Sequence, residues 1–149
     1  MNMQALISQF NRLRPLEMPL QEVFSLVLRV WIFRVFFLSG LTKIKSWSTT
    51  MTLFEYEYSV PLLSPQVAAV MATAGELVLP ALLLLGLLGR FSAAGLFVLN
   101  LVAVLSYPDI SHAGVQQHIM WGVMLAYFVC FGPGRLSLDN LLYRRFSRD

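Results

Sequence analysis

The stretch Ala72–Arg90, ATAGELVLPALLLLGLLGR, constrains the fold more than any other part of the chain. It is apolar for nearly its whole length, carries one carboxylate, Glu76, inside that run, and ends on a Gly-Arg turn. A charge at the centre of a bilayer costs ~2.5–3.5 kcal/mol on insertion scales, so it faces a partner or a cavity and not lipid. The other helices must therefore supply a partner for Glu76 and the walls around it. Composition agrees: the chain is 57% hydrophobic and 13% charged, against about 25% charged in soluble domains. With a mean hydropathy of +0.67, no stretch is polar enough for a second, soluble domain.

Reading from the start, Met3, Leu6, Ile7, Phe10 and Leu13 recur at helical spacing and predict an N-terminal amphipathic segment, residues 1–21, with a linker punctuated by Pro15 and Pro19. Four spans are expected at about 22–42, 66–88, 91–107 and 115–131. The fold class is thus an all-α membrane protein, a four-transmembrane-helix bundle over residues 22–134. Arg29 and Arg34 interrupt the first span, and no small-residue cleavage site follows, so it is not read as a cleavable signal peptide. Trp47, Phe54, Glu55, Tyr56, Glu57 and Tyr58 suit the headgroup zone and predict an interfacial loop between the first and second spans. Pro80 is expected to kink the second span one turn past Glu76. Gly132-Pro133-Gly134 ends the fourth span, and 135–149 is a polar tail.

Four spans put both termini on one side. That side holds Arg12, Arg14, Arg90, Arg135, Arg144, Arg145 and Arg148, against Lys43 and Lys45 on the other. The positive-inside rule then places both termini in the cytoplasm of a bacterial inner membrane. The net charge of +3 is spread in this way and is not clustered with exposed aromatics, which argues against nucleic acid and for contact with the lipid bilayer. The lone Cys130 excludes an internal disulfide.

A helical rise of ~1.5 Å per residue puts Arg34 and Glu76 each ~18 Å from the cytoplasmic ends of their spans, and Asn100 ~15 Å from Arg90. Equal depth predicts an Arg34–Glu76 pair with Asn100 nearby, because a buried charge needs a hydrogen-bonded counter-charge. Arg29 lies shallower, at ~10 Å, where it can snorkel, and Lys43 and His118 lie near the outer face. The ligand or proton-site candidates are Glu76, Arg34, Arg29, Asn100 and Lys43, and the outer-face candidates are His112, His118, Asp109 and Tyr56. The Arg34–Glu76 pair reads first as a structural clamp and second as a ligand or proton site. Asn100 reads first as an interhelical hydrogen bond, and the histidines with Asp109 as loop or capping groups, so no metal site is expected. No phosphate-binding loop, nucleophile elbow or zincin motif occurs, and no catalytic residue is assigned.

These residues carry a resemblance. Arg29 followed by Gly40-Leu41-Thr42-Lys43 resembles the R…G-x-x-K signature in the first helix of the DoxX family. Glu76, Gly86 and Arg90 are similar to that family's second-helix pattern, and Gly132-Pro133-Gly134-Arg135-Leu136-Ser137-Leu138-Asp139 to its G-P-G-x-x-S-L-D ending. Two positions depart from the pattern: Arg34 adds a charge, and Pro80 stands where glycine is common. The resemblance implies a four-helix membrane fold. It also implies association with quinone-linked oxidation of sulfur compounds, as in the thiosulfate:quinone oxidoreductase subunit, or with complexes that handle oxidative or thiol stress. The expected function is a membrane subunit or anchor of a redox complex, with quinone as the candidate cofactor and a soluble or membrane redox protein as candidate partner. The rivals are a small transporter and a purely structural or assembly protein. A quinone pocket predicts an elongated apolar cleft open to lipid beside Glu76, a transporter predicts a water path from one face, and a scaffold predicts a closed pair with no cavity. The small residues of spans two and three would also permit a homo-oligomer.

Overall fold

A computed structural model describes residues 3–146, with side chains from residue 18 onward. The chain's sole regular secondary structure among these residues is helix. Its six helices are α1 (Met3–Lys45), α2 (Trp47–Tyr56), α3 (Pro65–Leu85), α4 (Gly89–Ser106), α5 (His112–Phe131) and α6 (Leu138–Phe146). Three stretches are long and apolar enough to cross a membrane: Met18–Lys45 within α1, α3 and α4. Helix α5 has 20 residues, enough to span, but His112, Gln116, Gln117 and His118 in its first two turns make it less apolar.

Helix α1 corrects one expectation. It runs unbroken through Pro15 and Pro19, where a linker was expected. Proline already has a helical φ, and its missing N–H and the press of its ring on the carbonyl four residues back together cost about 3 kcal/mol, which a long helix can absorb. The amphipathic pattern Met3 to Leu13 falls on side chains outside the described residues. At 43 residues α1 measures roughly 64 Å, about twice the hydrocarbon thickness of a bilayer, so much of it lies beyond the apolar layer.

Neighbouring helices run antiparallel. Arg29 of α1 meets Leu84 of α3, while Lys43 meets Glu76. Asn100 of α4 meets His118 of α5, and Gly89 lies against Pro133 at the opposite end. The central core draws Ile32 and Phe36 from α1, Leu83 from α3, Ala93 and Leu96 from α4, and Leu125 and Phe128 from α5. A smaller cluster of Phe54, Ala68 and Ala69 seats α2 on the start of α3. Helix α3 is capped at its start by Ser64, whose hydroxyl accepts from Val67 N, and at its end by Gly86 in the left-handed region.

One end of the bundle is locked by the segment after α5. Arg29, only 1% exposed, donates to the carbonyl of Leu84 at 3.1 Å and to that of Leu136 at 2.6 Å. The last carbonyls of a helix carry partial negative charge, so a guanidinium is well placed against the α3 C-terminus. Arg29 therefore does not snorkel to the surface; the end of α3 and the folded-back tail each supply one acceptor. Asp139 takes the amides of Leu88 and Gly89, both at 2.9 Å, at the start of α4. Leu88 has φ +51, which costs an L-residue ~1–2 kcal/mol, and the carboxylate cap offsets that strain. Glu22 accepts from Arg135 N at 2.6 Å and Leu136 N at 3.2 Å, and Ser25 Oγ donates to Pro133 O at 3.0 Å. Gly86, at φ +66, lies under Ser137 so closely that a Cβ there would collide with the serine side chain and come within 2.9 Å of Arg29 Nη1.

Candidate functional site

The other end of the molecule holds the candidate site. Gly40 of α1 faces Glu76 and Leu77 of α3, and a Cβ at Gly40 would lie 2.8 Å from Leu77 Cγ and 3.2 Å from Glu76 Cβ. Glycine therefore lets the two backbones approach. One turn further on the same face, Lys43 reaches Glu76. Its ammonium donates to both carboxylate oxygens, at 2.9 and 2.7 Å, and to Ser39 Oγ at 3.0 Å. These three bonds use all three ammonium protons. The pair is largely enclosed, with side-chain exposures of 19% for Lys43 and 9% for Glu76.

Pro80 stands four residues after Glu76 inside α3. Proline has no N–H, so the Glu76 backbone carbonyl has no intrahelical donor. Thr50 of α2 donates to Lys43 O at 3.0 Å, which ties α2 to the end of α1.

Beside the ion pair a cleft of about 570 Å³ runs between α3 and α4. Its walls are almost wholly apolar: Met71, Leu79, Leu99 and Val102 along the helices, Phe54 and Tyr58 at one end. Met71, Val78, Val98 and Val102 are exposed, so the cleft opens on the outer, apolar surface of the helix pair. Tyr58 is stacked between Phe54 and Tyr107, with ring centroids 4.8 and 5.2 Å away. Burial, and then the negative charge of Glu76, push the Tyr58 hydroxyl above its ordinary pKa, so it stays protonated. Ser59 N donates to Ser106 O at 2.8 Å and fastens the segment after α2 to the end of α4. The hydroxyl of Ser106 lines the cleft, is buried and has no hydrogen-bond partner. A buried hydroxyl without a partner is costly, and a polar ligand atom or water would relieve it.

The sequence-derived candidates fall into four groups. Glu76 and Lys43 come together. Arg34 does not join them: it sits exposed on the outer face of α1. Arg34 and Lys43 are nine residues apart, about 180° around a helix, so equal depth did not mean the same face. Arg29 belongs to the lock at the far end, and Asn100 to a separate contact. There Asn100 Nδ2 donates to His118 O at 2.9 Å, and its Oδ1 lies 2.8 Å from His118 Nδ1. His118 also packs edge-on to Trp121 at 4.8 Å. His112, Asp109 and Tyr56 are exposed, and His112 lies 3.2 Å from Gln116. Among the described residues no cluster of metal-ligating side chains forms. Tyr58 and Ser106 were missed as site residues. The aromatic run FEYEYSVPLL was the one signal for Tyr58; nothing near Ser106 marks it in the sequence.

Comparison with known proteins gives the chain a family. It is 32% identical over 126 residues to an uncharacterized protein of Haemophilus influenzae, an alignment covering 78% of this chain and 82% of the relative. No solved structure matches. The DoxX family model matches residues 24–109, from the first turns of the apolar part of α1 to the end of the cleft at α4, and so takes in Arg29, Gly40, Lys43, Glu76 and Gly86. The chain belongs to the DoxX family.

Proposed function

We propose that this protein is a four-span membrane subunit that holds a lipid-soluble, quinone-like ligand beside Lys43–Glu76 and serves a redox complex. The carrying observation is the cleft: about 570 Å³, within the range of ~300–1,000 Å³ typical of small-molecule sites. It has apolar walls, one ion pair on its inner side and one unpartnered hydroxyl at Ser106. An apolar ligand arriving laterally from lipid matches the side on which the cleft opens. A ring carbonyl of such a ligand would accept the Ser106 hydrogen bond. Glu76, held by Lys43, would exchange a proton with a ligand hydroxyl during turnover. The electrons have to come from a partner subunit. In this arrangement α5 is the fourth span, both termini face the cytoplasm of a bacterial inner membrane, and α2 lies along the outer headgroup zone with Trp47 and Tyr56 exposed. A closed scaffold has no use for the cleft.

The test is quinone occupancy. Protein extracted gently from its own membrane is examined by native mass spectrometry, with small molecules identified by fragmentation. Bound quinone is expected, and Ala103→Phe, which fills the cleft wall without touching a hydrogen bond, should remove it. Protein that carries no quinone, or carries it equally after Ala103→Phe, would sink the reading.

A further inference from the structure

Arg34 has no role in the lock or in the cleft. It lies within the stretch Met18–Lys45, which is long and apolar enough to cross a membrane, and it is exposed. Among the described residues nothing forms a hydrogen bond or ion pair with it. It sits about 14 Å of helix below Lys43 and about 18 Å above Glu22, so it is near the middle of a hydrocarbon layer of about 30 Å. Helical side chains lean toward the N-terminus. The direction in which Arg34 extends most easily is therefore toward Glu22, the more distant surface, and snorkelling serves it poorly.

Its neighbours form a stripe. Val23, Val27, Val30, Leu38 and Leu41 are all exposed and fall within about 60° of Arg34 around the helix axis, with exposed Trp31 alongside. An exposed apolar stripe with one unpaired cation at its centre has the form of half of an interhelical contact. In lipid a cation at that depth is retained where a partner supplies the opposite charge.

We propose that the Arg34 face of α1 docks a transmembrane helix of another protein, one that carries an aspartate or glutamate at mid-membrane. A second copy of this chain does not fit. Glu22 lies about 18 Å from Arg34 along α1 and is taken by the amides of Arg135 and Leu136. Glu55, Glu57, Asp109 and Asp139 lie at helix ends or in connections, and Glu76 is held by Lys43. Glu17 and Asp149, five residues before Glu22 and at the last position, are further still from Arg34 along the sequence. A parallel pairing of two α1 helices would also set Arg34 against Arg34. Lipid phosphates lie at the surfaces, out of reach. Charge complementarity therefore selects a foreign helix with a carboxylate opposite Arg34.

The experiment is site-specific photocrosslinking of the full-length chain in its native membrane, with the photoreactive residue at Leu38 or, separately, at Trp31. The expected result is an adduct to a transmembrane peptide containing Asp or Glu. Arg34→Leu should lower that adduct at least about tenfold, and Arg34→Lys should retain most of it. Neutralising the partner's carboxylate should lower it equally, and exchanging the two charges, Arg34→Glu here and the carboxylate to arginine there, should restore it. Because Arg34 is exposed and forms no hydrogen bond or ion pair among the described residues, the purified Arg34→Leu chain should melt at or above the native temperature. Adducts only to lipid, adducts to a second copy, an adduct to a helix without a carboxylate, or an adduct indifferent to Arg34→Leu would each overturn the proposal.

Discussion

Lys43→Met is the sharpest test of how the candidate site is held together. In the native chain the ammonium meets both oxygens of Glu76, at 2.9 and 2.7 Å. Methionine has similar length and volume, so the packing of α1 against α3 is kept while the charge is lost. Breaking a fully buried pair by removing one partner costs about 3–5 kcal/mol. The Lys43 side chain retains some exposure and Glu76 borders the cleft, so the expected cost is lower, roughly 2–4 kcal/mol. For a chain of this size each kcal/mol moves the midpoint by about 2–4 °C, giving a drop of roughly 5–15 °C. The assay is thermal unfolding of detergent-solubilised protein followed by tryptophan fluorescence. Adding Glu76→Met removes the stranded carboxylate, and the double variant should return to within about 1 kcal/mol of the native chain. The two changes are then strongly non-additive, as expected for groups in contact. If the double variant melts as low as the two single losses summed, Lys43 and Glu76 do not act as a pair and the reasoning fails.

Other outcomes follow from the same geometry. Gly40→Ala should lower stability by about 1–3 kcal/mol in the same melting assay, because its Cβ would press on Leu77 and force α1 from α3. Arg29→Leu should cost about 2–4 kcal/mol, since the carbonyls of Leu84 and Leu136 lose their buried donor, and proteolysis should then cut the segment after α5 sooner. Asn100→Leu removes one interhelical bond to His118, for which about 0.6–2 kcal/mol is expected in a membrane bundle. Tyr58→Phe keeps the aromatic stack with Phe54 and Tyr107 and should leave the melting temperature within the scatter of surface controls.

The spans of α3 and α4 were legible because hydropathy depends on composition alone. Pro65, Gly86 and Gly89 then marked their ends to within a few residues. The partner of Glu76 was not legible from depth, because depth is one coordinate and a helix has two. Ser25, Arg29, Ile32, Phe36, Gly40 and Lys43 recur at intervals of three and four, and that line is the buried or half-buried face of α1. Arg34 is off it. In a helix that is apolar all round, hydropathy cannot separate inside from outside; the small and polar positions carry that information, and Gly40 with Lys43 was the readable part. Helix α1 past Pro15 and Pro19 was misread because proline is strong punctuation only where nothing else favours continuation. The cleft itself depends on Leu79, Leu99 and Ser106 meeting across two helices, a relation between helices that local sequence does not hold.

The two polar centres of this molecule differ in a way that bears on their roles. At the locked end most donors and acceptors among the described residues are paired, the buried Arg29 Nε being the exception. Arg29 is spent on two carbonyls, Asp139 on two amides, and Glu22 on two more. The motif residues of that end are accounted for by folding the tail back onto α3 and α4. At the other end the ion pair is satisfied, but Ser106 is not, and empty apolar volume lies beside both. What sets this end apart is the cleft: a buried hydroxyl beside about 570 Å³ of apolar space can be met by a ligand atom, whereas closing α3 on α4 would remove that space. The asymmetry therefore points to the cleft end as the place where the protein meets something else. It also separates the variants: changes at Arg29 or Asp139 should lower stability and ligand occupancy together, whereas filling the cleft at Ala103 should abolish occupancy while the melting temperature holds.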